Sequence, residues 1–206
     1  MTPTPPSSRE ATDAPAHADA GALHPRALVH YPELARRAAE LLRVPPTALG
    51  LDEQQALCVV SCMQLLDYPK GAMLLREHDS AATSYLLLVL SGEVAVETAL
   101  PGAGDPVAIS ALGVGALLGE MALLDGEPRS ANCTAISPVR AAGLSRQGLD
   151  RLIDQHPKVA AELLAEVATI IANRLRALSD QLHLYAQLTA SMQREIERLK
   201  AKGARA

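Results

Sequence analysis

Leu118-Gly119-Glu120-Met121-Ala122-Leu123-Leu124-Asp125-Gly126-Glu127-Pro128-Arg129-Ser130-Ala131 is the stretch on which the reading of this chain turns. A Gly-Glu pair leads into an apolar run, Met121 to Leu124, that fits one short helical turn. A polar loop follows, and Pro128 fixes the chain direction into Arg129. Taken alone, Glu120 and Arg129 could be a surface ion pair bracing the loop, worth under about 1 kcal/mol. The flanks say more. From about Met73 to Leu144, short apolar runs are broken at close intervals by Gly, Pro, Asp or Ser, the punctuation of an antiparallel sandwich or barrel. Tyr85 to Leu90 and Glu93 to Glu97 flank Ser91-Gly92 as a hairpin. Pro101 to Pro106 (PGAGDP) is a loop, Val107 to Leu112 resumes strand before Gly113-Val114-Gly115, and Asn132 to Ile136 and Val139 to Leu144 supply the last strands.

Helices are expected on both sides of this region. Tyr31 to Arg43 places Leu34, Ala38, Leu41 and Leu42 on one face and stops at Val44-Pro45-Pro46. Asp52 is a plausible N-cap for a second helix with Leu57, Cys58 and Val60 inward, and Tyr68-Pro69-Lys70-Gly71 closes that stretch with a turn. Gln147 to Gln155 is a short helix. Pro157 then opens one that meets no breaker before Gly203, about 70 Å long at 1.5 Å per residue. Its positions Ile171, Leu175, Leu178, Leu182, Tyr185, Thr189, Met192, Ile196 and Leu199 alternate spacings of four and three, a heptad seam that asks for a partner helix. The predicted fold is α+β: an antiparallel β-sandwich or jelly roll flanked by helices, with a long C-terminal coiled-coil helix that makes a homodimer. Its expected parts are a disordered tail at 1–24, N-terminal helices at 25–64, a β-roll at 65–156 and the dimerisation helix at 157–203.

Composition narrows the class. The chain has 206 residues, 49% hydrophobic and 20% charged, a globular balance with room for one sizeable core. Nineteen Lys and Arg against 23 Asp and Glu leave a net charge of −4, which gives no general attraction to nucleic acid or an anionic membrane. Trp and Phe are absent, so the stacking platforms of single-strand binders are missing. The N-terminus has neither the basic start nor the apolar run of a signal peptide, and no apolar stretch is long enough for a membrane span. Three cysteines, Cys58, Cys62 and Cys133, are odd in number and unpatterned, so a disulfide framework is not expected and a reducing cytoplasm is. Cys58 and Cys62, one helical turn apart, are read as core rather than metal ligands. No nucleophile elbow is present, and Asp125 and Glu127 are read as solvated loop residues rather than an acid/base pair, so no enzyme is expected.

The stretch from Leu118 to Ala131 resembles the phosphate-binding cassette of the cyclic nucleotide-binding domain family: aromatic-Gly-Glu-apolar-Ala-Leu, a variable loop, then Pro-Arg-Ser/Thr-Ala. Lys70-Gly71, Ser91-Gly92-Glu93-Val94, Leu112-Gly113-Val114-Gly115 and the Pro157 helix fall where that family has its equivalent elements, so the likeness covers roughly residues 50 to 180. Two positions differ: Leu118 stands in place of the aromatic, and His78-Asp79 where Gly-Asp is more usual. The resemblance implies that Glu120 accepts a ribose 2′-hydroxyl and that the planar fork of Arg129 pairs with the cyclic phosphate. Gly119 lets the backbone approach, the turn at Met121 and Ala122 adds N–H donors, Ser130 adds a hydroxyl and Ala131 leaves room. In relatives similar to the catabolite activator protein the long helix caps the purine, which points here to Arg176 and Ser179. Cyclic AMP is the expected ligand by its prevalence among bacterial relatives, with cyclic GMP as the alternative.

Those transcription factors carry a helix-turn-helix domain after the long helix. Only four residues follow Gly203's predecessor here, Gly203-Ala204-Arg205-Ala206, so no DNA-binding domain is expected. From Ile170 onward seven Lys or Arg face three acids. The expectation is a stand-alone, homodimeric cyclic nucleotide sensor that signals through an unidentified protein partner. The alternative is a coiled-coil scaffold or adaptor with a vestigial pocket.

Overall fold

The computed structural model describes residues 23–45, 47, 49–79, 85–98 and 107–203. The expected loop at 101–106 lies outside them, as does the expected tail at 1–24 apart from Leu23 and His24, which belong to a strand. Nine strands, β1 (Leu23–Ala27), β2 (Gln64–Tyr68), β3 (Met73–Leu75), β4 (Tyr85–Ser91), β5 (Val94–Thr98), β6 (Val107–Leu112), β7 (Leu117–Leu118), β8 (Asn132–Ala135) and β9 (Val139–Ser145), form two antiparallel sheets among the described residues. One sheet runs β1-β2-β9-β4-β7 and the other β3-β8-β5-β6. Five α-helices accompany them among the described residues, α1 (Pro32–Arg43), α2 (Glu53–Ser61), α3 (Glu120–Asp125), α4 (Arg146–Gln155) and α5 (Pro157–Gly203), with a 3-10 turn at Leu28–His30.

The five-stranded sheet is covered on both faces, which explains why β4 reads as an unbroken apolar run rather than an alternating one. Leu87 and Val89 of β4, Leu66 and Tyr68 of β2, and Ala141 and Val139 of β9 pack inward against Leu74, Val94, Cys133 and Ala135 of the second sheet. Leu86, Leu88 and Leu90 point the other way, with Leu65, Ala142 and Leu144, onto a second core built from α1, α2, α4 and the start of α5. This double burial also makes a strand of Gln64–Tyr68, which the sequence reading leaves unassigned between a helix and a turn. β1 is not among the expected strands for a different reason: it carries little apolar signal, and it is held by backbone pairing to β2, with Arg26 and Arg140 on either side of Asp67.

The helix ends follow local chemistry. Asp52 accepts from the Gln55 N–H at 2.8 Å while Gln55 Oε1 accepts from the Asp52 N–H at 2.8 Å, a complete capping box for α2. The expected inward face of α2 needs correction: Ala56, Val59 and Val60 are buried, Cys58 is half-buried and Leu57 is 42% exposed. Ser145 caps α4 by accepting from the Gly148 N–H at 3.1 Å. α5 buries Ala160, Leu163 and Val167 against the body. Beyond the body, Leu175, Leu178, Leu182, Tyr185, Met192 and Ile196 of the seam stand 44 to 68% exposed.

His78 is the non-glycine residue with a positive φ among those described, at 67°. Its N–H donates to the Arg129 carbonyl at 2.9 Å, and the Arg129 N–H donates to the Asp79 carbonyl at 3.2 Å, so this turn braces the backbone of Arg129. The left-handed conformation costs an L-residue about 1 kcal/mol that glycine avoids. His78→Gly is therefore expected to raise the thermal midpoint by about 2 to 4 °C. Asp52→Ala, which removes a cap, is expected to lower stability by about 1 kcal/mol, read from urea titrations of the two variants beside the parent chain.

Candidate functional site

Gly119 is the hinge on which the candidate site is built. β7 ends at Leu118, Gly119 turns the chain with φ of 76° as the N-cap of α3, and Glu120 begins the helix. A Cβ at Gly119 would overlap Arg129 Nη1 and approach the Tyr85 carbonyl oxygen to 2.7 Å, so only glycine permits the packing seen. Gly126, also left-handed, closes α3 and returns the chain through Pro128 to Arg129. The Cβ-free turn thus brings residues 119–122 and 129–131 together over the mouth of the roll.

Between them lies a cavity of about 320 Å³, lined by Gly119, Glu120, Met121, Ala122, Arg129, Ser130 and Ala131, and on the roll side by Leu75, Val96, Ser110, Leu112 and Cys133. Its size falls in the roughly 300–1,000 Å³ range of small-molecule sites. Asp125 and Glu127 also border it; both are exposed, and the Glu127 N–H donates to Asp125 Oδ1 at 3.0 Å. Among the described residues no group of three or more His, Cys, Asp or Glu is placed to hold a metal ion.

Glu120 and Arg129 are 5% and 7% exposed, so they are not a surface ion pair. Nor do they bond to each other. Arg129 donates from Nη1 to the Gly119 carbonyl at 2.9 Å and from Nη2 to the Tyr85 carbonyl at 3.1 Å. Burial pulls its pKa below the ordinary arginine value, opposed by the nearby Cys133, Glu120, Tyr68 and Asp79. The remaining N–H groups of its five-donor fork have no protein partner among the described residues, so the guanidinium retains donors for an anion. Burial also pushes the Cys133 thiol up to about 11 and the Tyr68 phenol to about 12, keeping both neutral at physiological pH. Cys133 is therefore an apolar wall rather than a nucleophile.

Glu120 is paired from another element. Arg174 of α5 reaches into the cavity, donating from Nη1 to Glu120 Oε1 and from Nη2 to the Leu117 carbonyl at 3.0 Å. One side chain of the long helix thus holds both the last strand before the cassette and its buried carboxylate, whose Oε2 has no protein partner among the described residues. The sequence reading singles out Arg176 and Ser179 in this part of α5 and passes over Arg174. The structure puts Arg176 on the exposed face, donating to Asn173 Oδ1 at 2.8 Å, and leaves Ser179 exposed as well; neither lines the cavity. Arg174 is seven residues beyond the buried Val167 and four and three beyond the partly buried Ile170 and Ile171, so it continues the inward stripe of α5.

The arrangement offers an unpaired carboxylate oxygen, a guanidinium fork with free donors, a hydroxyl at Ser130 and an apolar wall. These suit a small molecule with a hydroxyl, an anionic group and a flat apolar part. A family profile for the cyclic nucleotide-binding domain matches residues 65–156. The fold is similar to a cyclic nucleotide-binding domain from Methylobacillus flagellatus, with a TM-score of 0.63 and 31% identity, covering 77% of this chain and 86% of that one. It is also similar to the Catabolite Activator Protein of Thermus thermophilus, with a TM-score of 0.57 and 33% identity over 66% of this chain and 61% of that one. In sequence it is 26% identical over 150 residues to the CRP-like cAMP-activated global transcriptional regulator of Mycobacterium tuberculosis, covering 73% of this chain and 61% of that protein. The chain spans about 61% of the length of these curated relatives. Cassette, surrounding roll and relatives agree, and the chain belongs to the cyclic nucleotide-binding domain family.

Proposed function

We propose that this chain is a cyclic nucleotide sensor whose ligand is cyclic AMP, and that it works as a homodimer signalling to protein partners through α5. The observation that carries the reading is the buried, unbonded pair of Glu120 and Arg129 facing one cavity, each with hydrogen-bonding capacity left over. In this reading Glu120 Oε2 accepts the ribose 2′-hydroxyl. The free donors of Arg129 pair with the cyclic phosphate, and Ser130 and the first-turn N–H groups of α3 add to them. Gly119, Met121, Ala122 and Ala131 shape the space around the phosphate. The purine lies along Leu75, Val96 and Leu112, and Arg176 and Ser179 contribute once α5 shifts. The names of the Thermus cyclic AMP receptor protein and the mycobacterial cAMP-activated regulator favour cyclic AMP over cyclic GMP.

The link to output is Arg174. A hydroxyl bonded to Oε2 shares the carboxylate whose Oε1 anchors this arginine, so occupancy draws charge from and reorients that carboxylate and changes the strength with which α5 is tied to the cassette. Such coupling requires that the ligand bind the two positions of α5 with different affinity. The exposed seam from Leu175 to Ile196 is the surface that a second copy covers. No described helix is long and apolar enough to cross a membrane.

Thermal unfolding with each nucleotide tests the binding step. Ligand at about 100 times its dissociation constant should stabilise the chain by about 2.7 kcal/mol, a rise of about 5 to 10 °C. Cyclic AMP is expected to give this rise, and Arg129→Ala and Gly119→Ala to abolish it. The absence of a shift with cyclic AMP, cyclic GMP or cyclic di-GMP would favour the coiled-coil scaffold with a vestigial pocket.

Arg174→Met tests the coupling step, since it keeps a helix-forming side chain of similar reach without the charge. A spin-label distance between positions 124 and 178 is expected to change on adding cyclic AMP to the parent chain and to stay constant in Arg174→Met, which still binds. An unchanged distance in a parent chain that shows the thermal shift would remove Arg174 from the mechanism.

A further inference from the structure

The charged side chains that line the cavity do not balance. Glu120, Asp125 and Glu127 are acidic, Arg129 and Arg174 are basic, and the other lining residues are uncharged. Glu120 and Arg174 neutralise each other by direct contact. That leaves Arg129 as one buried positive charge, 7% exposed, with guanidinium donors that no described residue takes. Another acid, Asp79, also stands near it. Asp125 ends α3 and Glu127 lies two residues before Arg129, so both belong to the loop that leads from the cassette helix into the guanidinium. The Glu127 N–H donates to Asp125 Oδ1 at 3.0 Å, which holds one carboxylate over that loop. Both carboxylates are exposed, and neither has a cationic partner among the described residues.

A cyclic phosphodiester carries one negative charge. A phosphomonoester, with its second ionisation near pH 6, carries almost two at neutral pH. We propose that Asp125 and Glu127 are specificity-determining residues of the site, which admits a singly charged cyclic phosphate and repels a doubly charged phosphomonoester. The inference rests on the cyclic nucleotide reading and adds to it the phosphate chemistry that the site selects. The first charge of the ligand is met by the free donors of Arg129. A second charge finds no cation left and faces both loop carboxylates. Selection of this kind comes from repulsion of the wrong ligand, with no further contact to the right one. At separations of about 7 Å in water, the two carboxylates together weaken binding about fivefold for each unit of ligand charge at about 0.01 M salt, and about twofold at about 0.15 M. Hydrolysis that opens the cyclic ester with water adds a charge, and so turns the ligand into one that this loop rejects.

Asp125→Asn/Glu127→Gln removes both charges and keeps the acceptor for the Glu127 N–H. Calorimetric titration at about pH 8 with adenosine, cyclic AMP and 5′-AMP offers the same base with a charge of zero, one and about two. At about 0.01 M salt the variant is expected to bind adenosine as the parent chain does, cyclic AMP about fivefold more tightly and 5′-AMP about 25-fold more tightly, the two gains falling to about twofold and fivefold at about 0.15 M. Equal gains for all three ligands, or a variant that binds 5′-AMP no better than the parent chain, would overturn the selection by charge and leave the cyclic nucleotide reading standing. A parent chain that binds no cyclic AMP would overturn that reading as well.

Discussion

A carboxylate buried to the degree of Glu120 must be compensated, and the way this chain does so organises the site. The compensation is divided between two arginines with different duties. Arg129 sits close enough to interact electrostatically but gives its hydrogen bonds to the carbonyls of Gly119 and Tyr85, locking the cassette to β4. Arg174 makes the direct contact, and it comes from a helix that extends far beyond the roll. The first arginine belongs to the rigid scaffold. The second ties the buried charge to α5, an element that runs far beyond the roll.

The rest of the roll is arranged to hold that charge cluster in place. The five-stranded sheet is clamped between the sandwich core and the helical core, and β4, the strand whose carbonyl receives Arg129, lies within it. On the opposite flank, the His78 turn accepts left-handed strain at one residue and in exchange bonds twice to the backbone of Arg129. Thr47 contributes from the N-terminal side, its buried hydroxyl donating to the Gly115 carbonyl just before β7. Position and charge are thus fixed by separate parts of the chain.

Much of this was legible in the residues. The strands between Met73 and Leu144 announce themselves by breakers and apolar runs, and the cassette by its spacing, because both are local patterns. β1 and β2 were not, since a strand held mainly by backbone pairing, or one whose apolar residues serve two faces, leaves no clean period to read. Leu57 reads as inward because the second half of α2 is apolar on most sides, so periodicity does not choose a face. Nothing in the sequence singles out Arg174, because its contact with Glu120 depends on where α5 crosses the cassette. That crossing is a tertiary fact, and an arginine beside an exposed one looks the same in sequence.

The position of Arg174 along α5 has a mechanical meaning. Twenty-nine residues separate it from the end of the helix at Gly203, a length of about 43 Å if the helix is straight. The body grips the portion before it, so the arginine acts near the fulcrum of a long arm. A tilt of about ten degrees there would carry the far end about 7.5 Å, more than one helical turn. On the coupling proposed for Arg174, making or breaking a single contact beside the cavity would be converted into a displacement large enough to change which residues meet at the distant tip.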